Sequence, residues 1–215
     1  GRQRLLPVLD GQAKFDMFVA IGKACREQLQ DPYQAIDAYL GASRVDPTDL
    51  PATEALLALY RETRQGQKAA DVLAQIIARP EVQADPPRAA KLHVLLAEIL
   101  RDEVKDEAAA LAQFERALDL NPRLHQAFAA VEEAHARAKR WPALEQAYVR
   151  MIQRLPKTPD FAQSRLGLWR TLGELYRVVL RSDDGARMAY QVVSRADPED
   201  AVSVELYADL AARTP

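Results

Sequence analysis

The chain has 215 residues, 48% of them hydrophobic and 28% charged, with a formal net charge of −2 and a pI near 6.0. That balance supplies no global attraction to nucleic acid, and no apolar run approaches the roughly 20 residues that a membrane-spanning helix needs. Cys25 is the single cysteine, so no internal disulfide can form. The apolar stretch at residues 5–9 is too short for a signal-peptide core, and the expected location is the cytoplasm, with the periplasm as the alternative. Alanine, leucine, arginine and glutamate dominate, strand-like alternation is absent, and prolines and glycines fall between periodic segments. The expected fold class is all-α.

Residues 1–14 read as the tail of a preceding repeat and a linker, because Gln3-Arg4-Leu5-Leu6-Pro7 echoes Gln153-Arg154-Leu155-Pro156. A first hairpin, residues 15–47, carries Phe18, Ile21, Gly22 and Cys25 on one helix and Ala35, Tyr39 and Ala42 on the next. Asp31-Pro32 opens that second helix with a capping carboxylate and a proline in the first turn. The second hairpin, 51–80, has Leu56 and Tyr60, then Ala69, Leu73 and Ile76. Gln65-Gly66 lies between, with Gly66 read as a turn glycine. A proline-rich connection leads to the third, 87–122, with His93, Leu96, Ala97 and Leu100 followed by Ala110, Phe114, Ala117 and Leu118. The fourth, 123–156, carries Phe128, Val131 and His135, then Leu144, Tyr148 and Met151. The fifth, 163–198, carries Trp169, Leu172, Gly173 and Tyr176, then Ala186, Tyr190 and Val193, with Gly185 read as a turn glycine. Residues 199–213 form one more helix, with Leu206 and Leu210 inward.

A longer period underlies this series. An offset of 76 carries His93, Leu96, Leu100, Ala110, Phe114 and Pro122 onto Trp169, Leu172, Tyr176, Ala186, Tyr190 and Pro198. Offsets of 75 relate the first hairpin to the third and the second to the fourth. The closing positions 47, 81, 122, 156 and 198 are therefore 34, 41, 34 and 42 residues apart. The unit is a double repeat, alternately short and extended.

The fifth hairpin reads W-x2-L-G-x2-Y, then A-x3-Y, then a closing proline, and the third ends FERALDLNP at residues 114–122. These patterns resemble the tetratricopeptide repeat, whose usual length is about 34 residues. The resemblance covers residues 15–213 as five hairpins and a half. It departs from the family at Leu57 and Glu132, where a small residue is usual. It implies a right-handed α-solenoid of antiparallel hairpins, a fragment of a longer array. Its first helices would line a concave groove that binds a peptide or protein segment.

Nothing in the sequence supports catalysis, a cofactor or a metal. His93 and His135 stand at aromatic positions and read as packing residues. His125 lies near a helix start, and no HExxH spacing occurs. Cys25 takes an inward position, and Asp183-Asp184 reads as a turn and helix cap.

One feature of the expected groove is regular. The residue after the second inward site of each first helix is Arg26, Arg61, Arg101 and Arg177, with Arg137 one place on in the fourth. Glu98, Glu133 and Glu174 precede the last three of these at helical spacing, and Lys23 shares the first helix's outward face. Arginine near a helix C-terminus complements the dipole; a column of guanidinium groups is also suited to the carboxylates of an acidic partner. The expected role is thus a protein-interaction scaffold that is not an enzyme, with self-association through uncapped end helices as a further expectation. The alternatives are a regulatory or substrate-recruiting segment of a larger enzyme and, ranked below it, an RNA-binding helical repeat.

Overall fold

Most of the helices begin where a short polar side chain can accept from the first free backbone N–H groups, and the computed structural model, which describes residues 10–213, shows each such cap in use. Asp10 accepts from the Ala13 N–H at 2.7 Å, and α1 runs Gly11–Glu27. Asp31 caps α2 (Pro32–Val45) and Asp49 caps α3 (Leu50–Glu62). Then come α4 (Gly66–Ile77), the single turn α5 (Pro80–Gln83) and α6 (Pro86–Ile99), capped by Asp85. Asp106 caps α7 (Glu107–Leu120). There follow α8 (His125–Arg137), α9 (Trp141–Arg154), α10 (Ala162–Glu174), α11 (Asp183–Ala196, capped by Ser182) and α12 (Ala201–Arg213). No strand occurs among the described residues. The chain is an all-α helical repeat, as expected.

The first helix starts at Gly11 and not at residue 15, because Asp10 supplies the cap. The rest of the stretch read as a preceding repeat's tail, residues 1–9, lies outside the described residues.

The chain divides into two compact units, Gly1–Asn121 and Pro122–Pro215. In the first, α1 pairs with α2, α3 with α4 and α6 with α7, while α2 packs on α3 and α4 on α6. In the second, α8 pairs with α9 and α10 with α11, while α9 packs on α10 and α12 on α11.

The five turns inside the hairpins share one backbone device. Gln30, Arg64, Lys105, Lys139 and Arg181 are the described non-glycine residues with positive φ, between 50° and 66°. Their spacing is 34, 41, 34 and 42, the same series as the closing positions. What alternates is the bond that closes the turn. In the second and fourth hairpins the N–H reaches back five residues, Gln65 to Tyr60 and Arg140 to His135. In the first, third and fifth it reaches back six, Asp31 to Cys25, Asp106 to Leu100 and Ser182 to Tyr176. The extra residue is taken up by a widened last turn, assigned as π-helix at Leu100–Val104 and Leu175–Leu180.

Glycine is used for proximity. A Cβ on Gly22 would stand 2.7 Å from the Tyr39 ring, and one on Gly173 3.0 Å from the Tyr190 ring. The two hairpins without that glycine solve the packing differently. The second has Leu57 at the glycine position and the smaller Leu73 at the tyrosine position, both buried, so a larger residue on one helix accompanies a smaller one on the other. In the fourth, Glu132 takes the place and its carboxylate receives the Tyr148 hydroxyl, while Phe128 meets the Tyr148 ring edge-on at 5.4 Å.

Gly66 and Gly185 are not turn glycines: no described glycine has positive φ. Both sit in the first turn of a helix, where a Cβ would stand 2.7 Å from the Glu103 Cβ and 2.6 Å from the Tyr176 ring respectively. The left-handed turn conformation falls two and four residues earlier, on Arg64 and Arg181 respectively. Cys25 is buried, as its inward position implied, and Trp169 is half-buried.

Candidate interaction surface

The arginine positions project from the C-terminal ends of the first helices, so their surroundings follow from how those helices stack. In the first unit the guanidinium of Arg26, on α1, meets Glu62 at the end of α3 at 2.5 Å. Arg61, on α3, donates through Nε to Glu103 at 2.7 Å. Glu103 lies in the π turn after α6. Arg101 in that same turn holds Asp102 through two bonds of 2.7 and 2.9 Å, and its guanidinium carbon lies 5.7 Å from the Phe114 ring centre. The Arg101 guanidinium holds the Asp102 carboxyl below its ordinary range. The first two contacts each span one hairpin, forming a ladder in which an arginine grips an acid of the following first helix. These are half-exposed ion pairs worth about 0–1 kcal/mol each, so their consequence is the placement of charge more than stability.

The counter-ions Glu62 and Glu103 were absent from the sequence expectation. Glu62 follows Arg61 directly and Glu103 lies two residues past Arg101, and neither position says which neighbouring arginine it meets. Lys23 is exposed on α1, and Glu98 is half-buried on α6. Beside the Arg61–Glu103 pair lies an open hollow of about 440 Å³ lined also by Arg64 and Gly66.

In the second unit the expected pairs are local. Arg177 donates to Glu174 at 2.7 Å, and Arg137 lies 3.9 Å from Glu133. The Arg177 bond, against the opposing effect of burial, holds the Glu174 carboxyl below its ordinary range, and Glu174 also receives the Tyr190 hydroxyl at 2.6 Å. The Tyr176 hydroxyl donates to Glu145 at 2.6 Å, and burial with that contact pushes the phenol up to about 12.

A second cluster had no sequence expectation. Arg170 on α10 reaches Asp200 at 2.5 Å and Asp197 at 3.1 Å, and Asp200 also accepts the Ser203 hydroxyl at 2.8 Å. It fastens α10 to the start of α12. Burial raises the Asp200 carboxyl, but the bonds from Arg170 and Ser203 outweigh it and leave the net value below the ordinary range. A carboxyl lowered on folding stabilises fully above its unfolded value of about 4 and loses that contribution as pH falls through the folded value. Arg170→Ala is therefore expected to destabilise the second unit by about 1 kcal/mol at pH 7, with the gap to the parent narrowing as pH falls below about 4. Urea melts followed by tryptophan fluorescence across that range check it.

Among the described residues no three His, Cys, Asp or Glu side chains gather where they could hold a metal ion, and no described helix is long and apolar enough to cross a membrane.

Repeated hairpins with a tyrosine or phenylalanine closing on a small residue, and left-handed turns at repeat spacing, define a helical-repeat protein of tetratricopeptide-like construction. No protein-family profile and no curated protein matches the chain. Among solved structures it is similar to the C-terminal part of a TPR repeat-containing protein from Cytophaga hutchinsonii, with 18% identity over 89% of this chain and 72% of that one and a TM-score of 0.49. It is similar also to pilF of Pseudomonas aeruginosa, with 18% identity over 93% and 82% and a TM-score of 0.47. The MamA protein is a third such structure, with 17% identity over 87% and 93% and a TM-score of 0.47.

Proposed function

We propose that the chain is a protein-interaction scaffold whose first unit receives an acidic segment of a partner along Arg26, Arg61 and Arg101. The observation that carries this reading is the hollow beside Arg61, where Arg64 adds a second guanidinium with no ion pair among the described residues. A partner carboxylate entering there replaces Glu103 on Arg61 or joins Arg64, and arginine's fork allows it two parallel bonds. Because Glu62 and Glu103 already hold two of the arginines, binding exchanges one ion pair for another. Its affinity is then modest and salt-dependent, and its on-rate is steered by charge.

The test is a titration with an extended peptide rich in aspartate and glutamate, beside a lysine-rich peptide of equal length. The acidic peptide is expected to bind at least tenfold tighter, and the difference to fall as salt rises from about 50 to 300 mM. Simultaneous Arg26→Ala, Arg61→Ala and Arg64→Ala substitution is expected to abolish the preference. Equal binding of the two peptides, or a preference that survives the triple variant, overturns the reading.

A further inference from the structure

The double repeat provides an internal comparison that isolates one position. Phe18 in the first hairpin, His93 in the third and Trp169 in the fifth are equivalent, and so are Gly41, Arg116 and Val192 on the second helices. In the first hairpin the Phe18 ring lies directly over Gly41 and fills the space that a side chain there would take. In the third hairpin both members have changed, to a smaller polar ring and a cation. The space is not filled: α4, α6 and α7 enclose an open pocket of about 460 Å³, within the range of small-molecule sites.

The lining is of two kinds. Ile77, Leu96 and Leu120, with three alanines, form an apolar wall. Gln83, His93, Gln113 and Arg116 supply the polar edge, and among the described residues no carboxylate lines the pocket. His93 Nδ1 and Gln113 Oε1 are 2.8 Å apart. Whichever way the amide and the tautomer are set, a neutral His–Gln pair that shares one bond keeps two N–H donors for a third group. Arg116 is exposed at the rim and has no ion pair among the described residues. A guanidinium, spare N–H donors and an apolar wall, with Glu115 and Asp119 on α7 outside the lining, are complementary to one chemistry: an anion attached to a compact apolar body.

We infer that this pocket binds a small carboxylic acid with an aryl or branched alkyl group, its carboxylate on Arg116 and the His93–Gln113 edge, and its apolar part against Ile77, Leu96 and Leu120. The site lies in the first unit, is built from other residues than the arginine ladder, and stands whether or not that ladder binds an acidic partner.

The probe is 1-naphthylacetate, with 1-naphthaleneacetamide as the uncharged analogue of the same shape, titrated into the full chain by calorimetry and by NMR observation of the His93 ring. The acid is expected to bind with the His93 signals moving, and the amide to bind at least tenfold more weakly. Arg116→Gln is expected to cost about tenfold for the acid and little for the amide. His93→Phe, which places in the third hairpin the residue the first already uses, is expected to keep the helical circular dichroism and abolish binding of both. Acid and amide binding alike, no binding at millimolar concentration, or full affinity in a folded His93→Phe variant each overturn the assignment.

Discussion

Tyr190→Ala is expected to lower the stability of the second unit by about 3–5 kcal/mol, the range for removing a large buried ring, and Tyr190→Phe by only about 1 kcal/mol. The ring is 2% exposed and lies against Gly173, so truncation leaves a cavity bounded by a residue with no side chain to move into it. The surrounding α10 and α11 backbones are held at that separation by the rest of the hairpin, which limits collapse. The hydroxyl is a separate matter. It donates to Glu174, a group that also takes the Arg177 guanidinium and stands partly in water. Phenylalanine at this position removes one bond from a carboxylate that retains another, hence the smaller loss. Burial and the adjacent Glu174 carboxylate push the Tyr190 phenol well above its ordinary range, so the hydroxyl stays a donor up to strongly alkaline pH. Trp141 and Trp169, the two tryptophans of the chain, both lie in the second unit. Their fluorescence in a urea titration at constant slope reads the unit of interest. A loss for Tyr190→Ala no greater than that for Tyr190→Phe would falsify this packing account.

The parts of this structure legible in the sequence are those fixed by side-chain type at a repeat position. The small residue at Gly22 and Gly173, the Asp31 cap and the alternating period all depend on residues whose chemistry admits few other uses, whereas Asp183-Asp184, read as a cap, lies inside α11 behind the Ser182 cap. The turn conformation was hidden because it falls on Gln30, Arg64, Lys105, Lys139 and Arg181, residues with no intrinsic preference for positive φ. Glycine, which carries that preference, stood nearby at Gly66 and Gly185 and drew the turn reading to itself. The widened π turns were hidden for a related reason: they stand at the very ends of α6 and α10, where too few apolar positions follow to report the change of register. For the candidate surface, Arg26, Arg61 and Arg101 were legible as a series, and the pairs of Arg177 with Glu174 and of Arg137 with Glu133 followed from helical spacing alone. Contacts across hairpins, such as Arg26 with Glu62 and Arg170 with Asp200, depend on how helices are offset along their axes. Side-chain periodicity within one helix carries no information on that offset.

The same distinction between conformation and space gives opposite signs for two glycine-to-alanine substitutions in the second unit. Gly185→Ala is expected to destabilise it by about 1–3 kcal/mol, and Gly167→Ala to stabilise it by about 0.5–1 kcal/mol. Both glycines lie within α-helices with ordinary backbone angles, and by propensity alone both substitutions favour the helix because alanine loses less entropy on folding. Gly167 has nothing within 4 Å of where its Cβ would be, so only the propensity gain operates. Gly185 has the Tyr176 ring at 2.6, 2.7 and 2.9 Å, closer than real Cβ contacts allow. Tyr176 cannot easily retreat, since its ring is buried and its hydroxyl is held by Glu145 on α9. Accommodating a methyl group therefore moves α11 away from the π turn or breaks the Tyr176–Glu145 bond. Either response costs more than the propensity gain, which is small in the first turn of a helix. Removing the ring tests the cause: in a Tyr176→Leu background the penalty of Gly185→Ala is expected to fall below about 0.5 kcal/mol. The coupling read from that double-mutant cycle measures the steric term directly. A penalty for Gly185→Ala that is unchanged by Tyr176→Leu would place the constraint in the backbone and not in the contact.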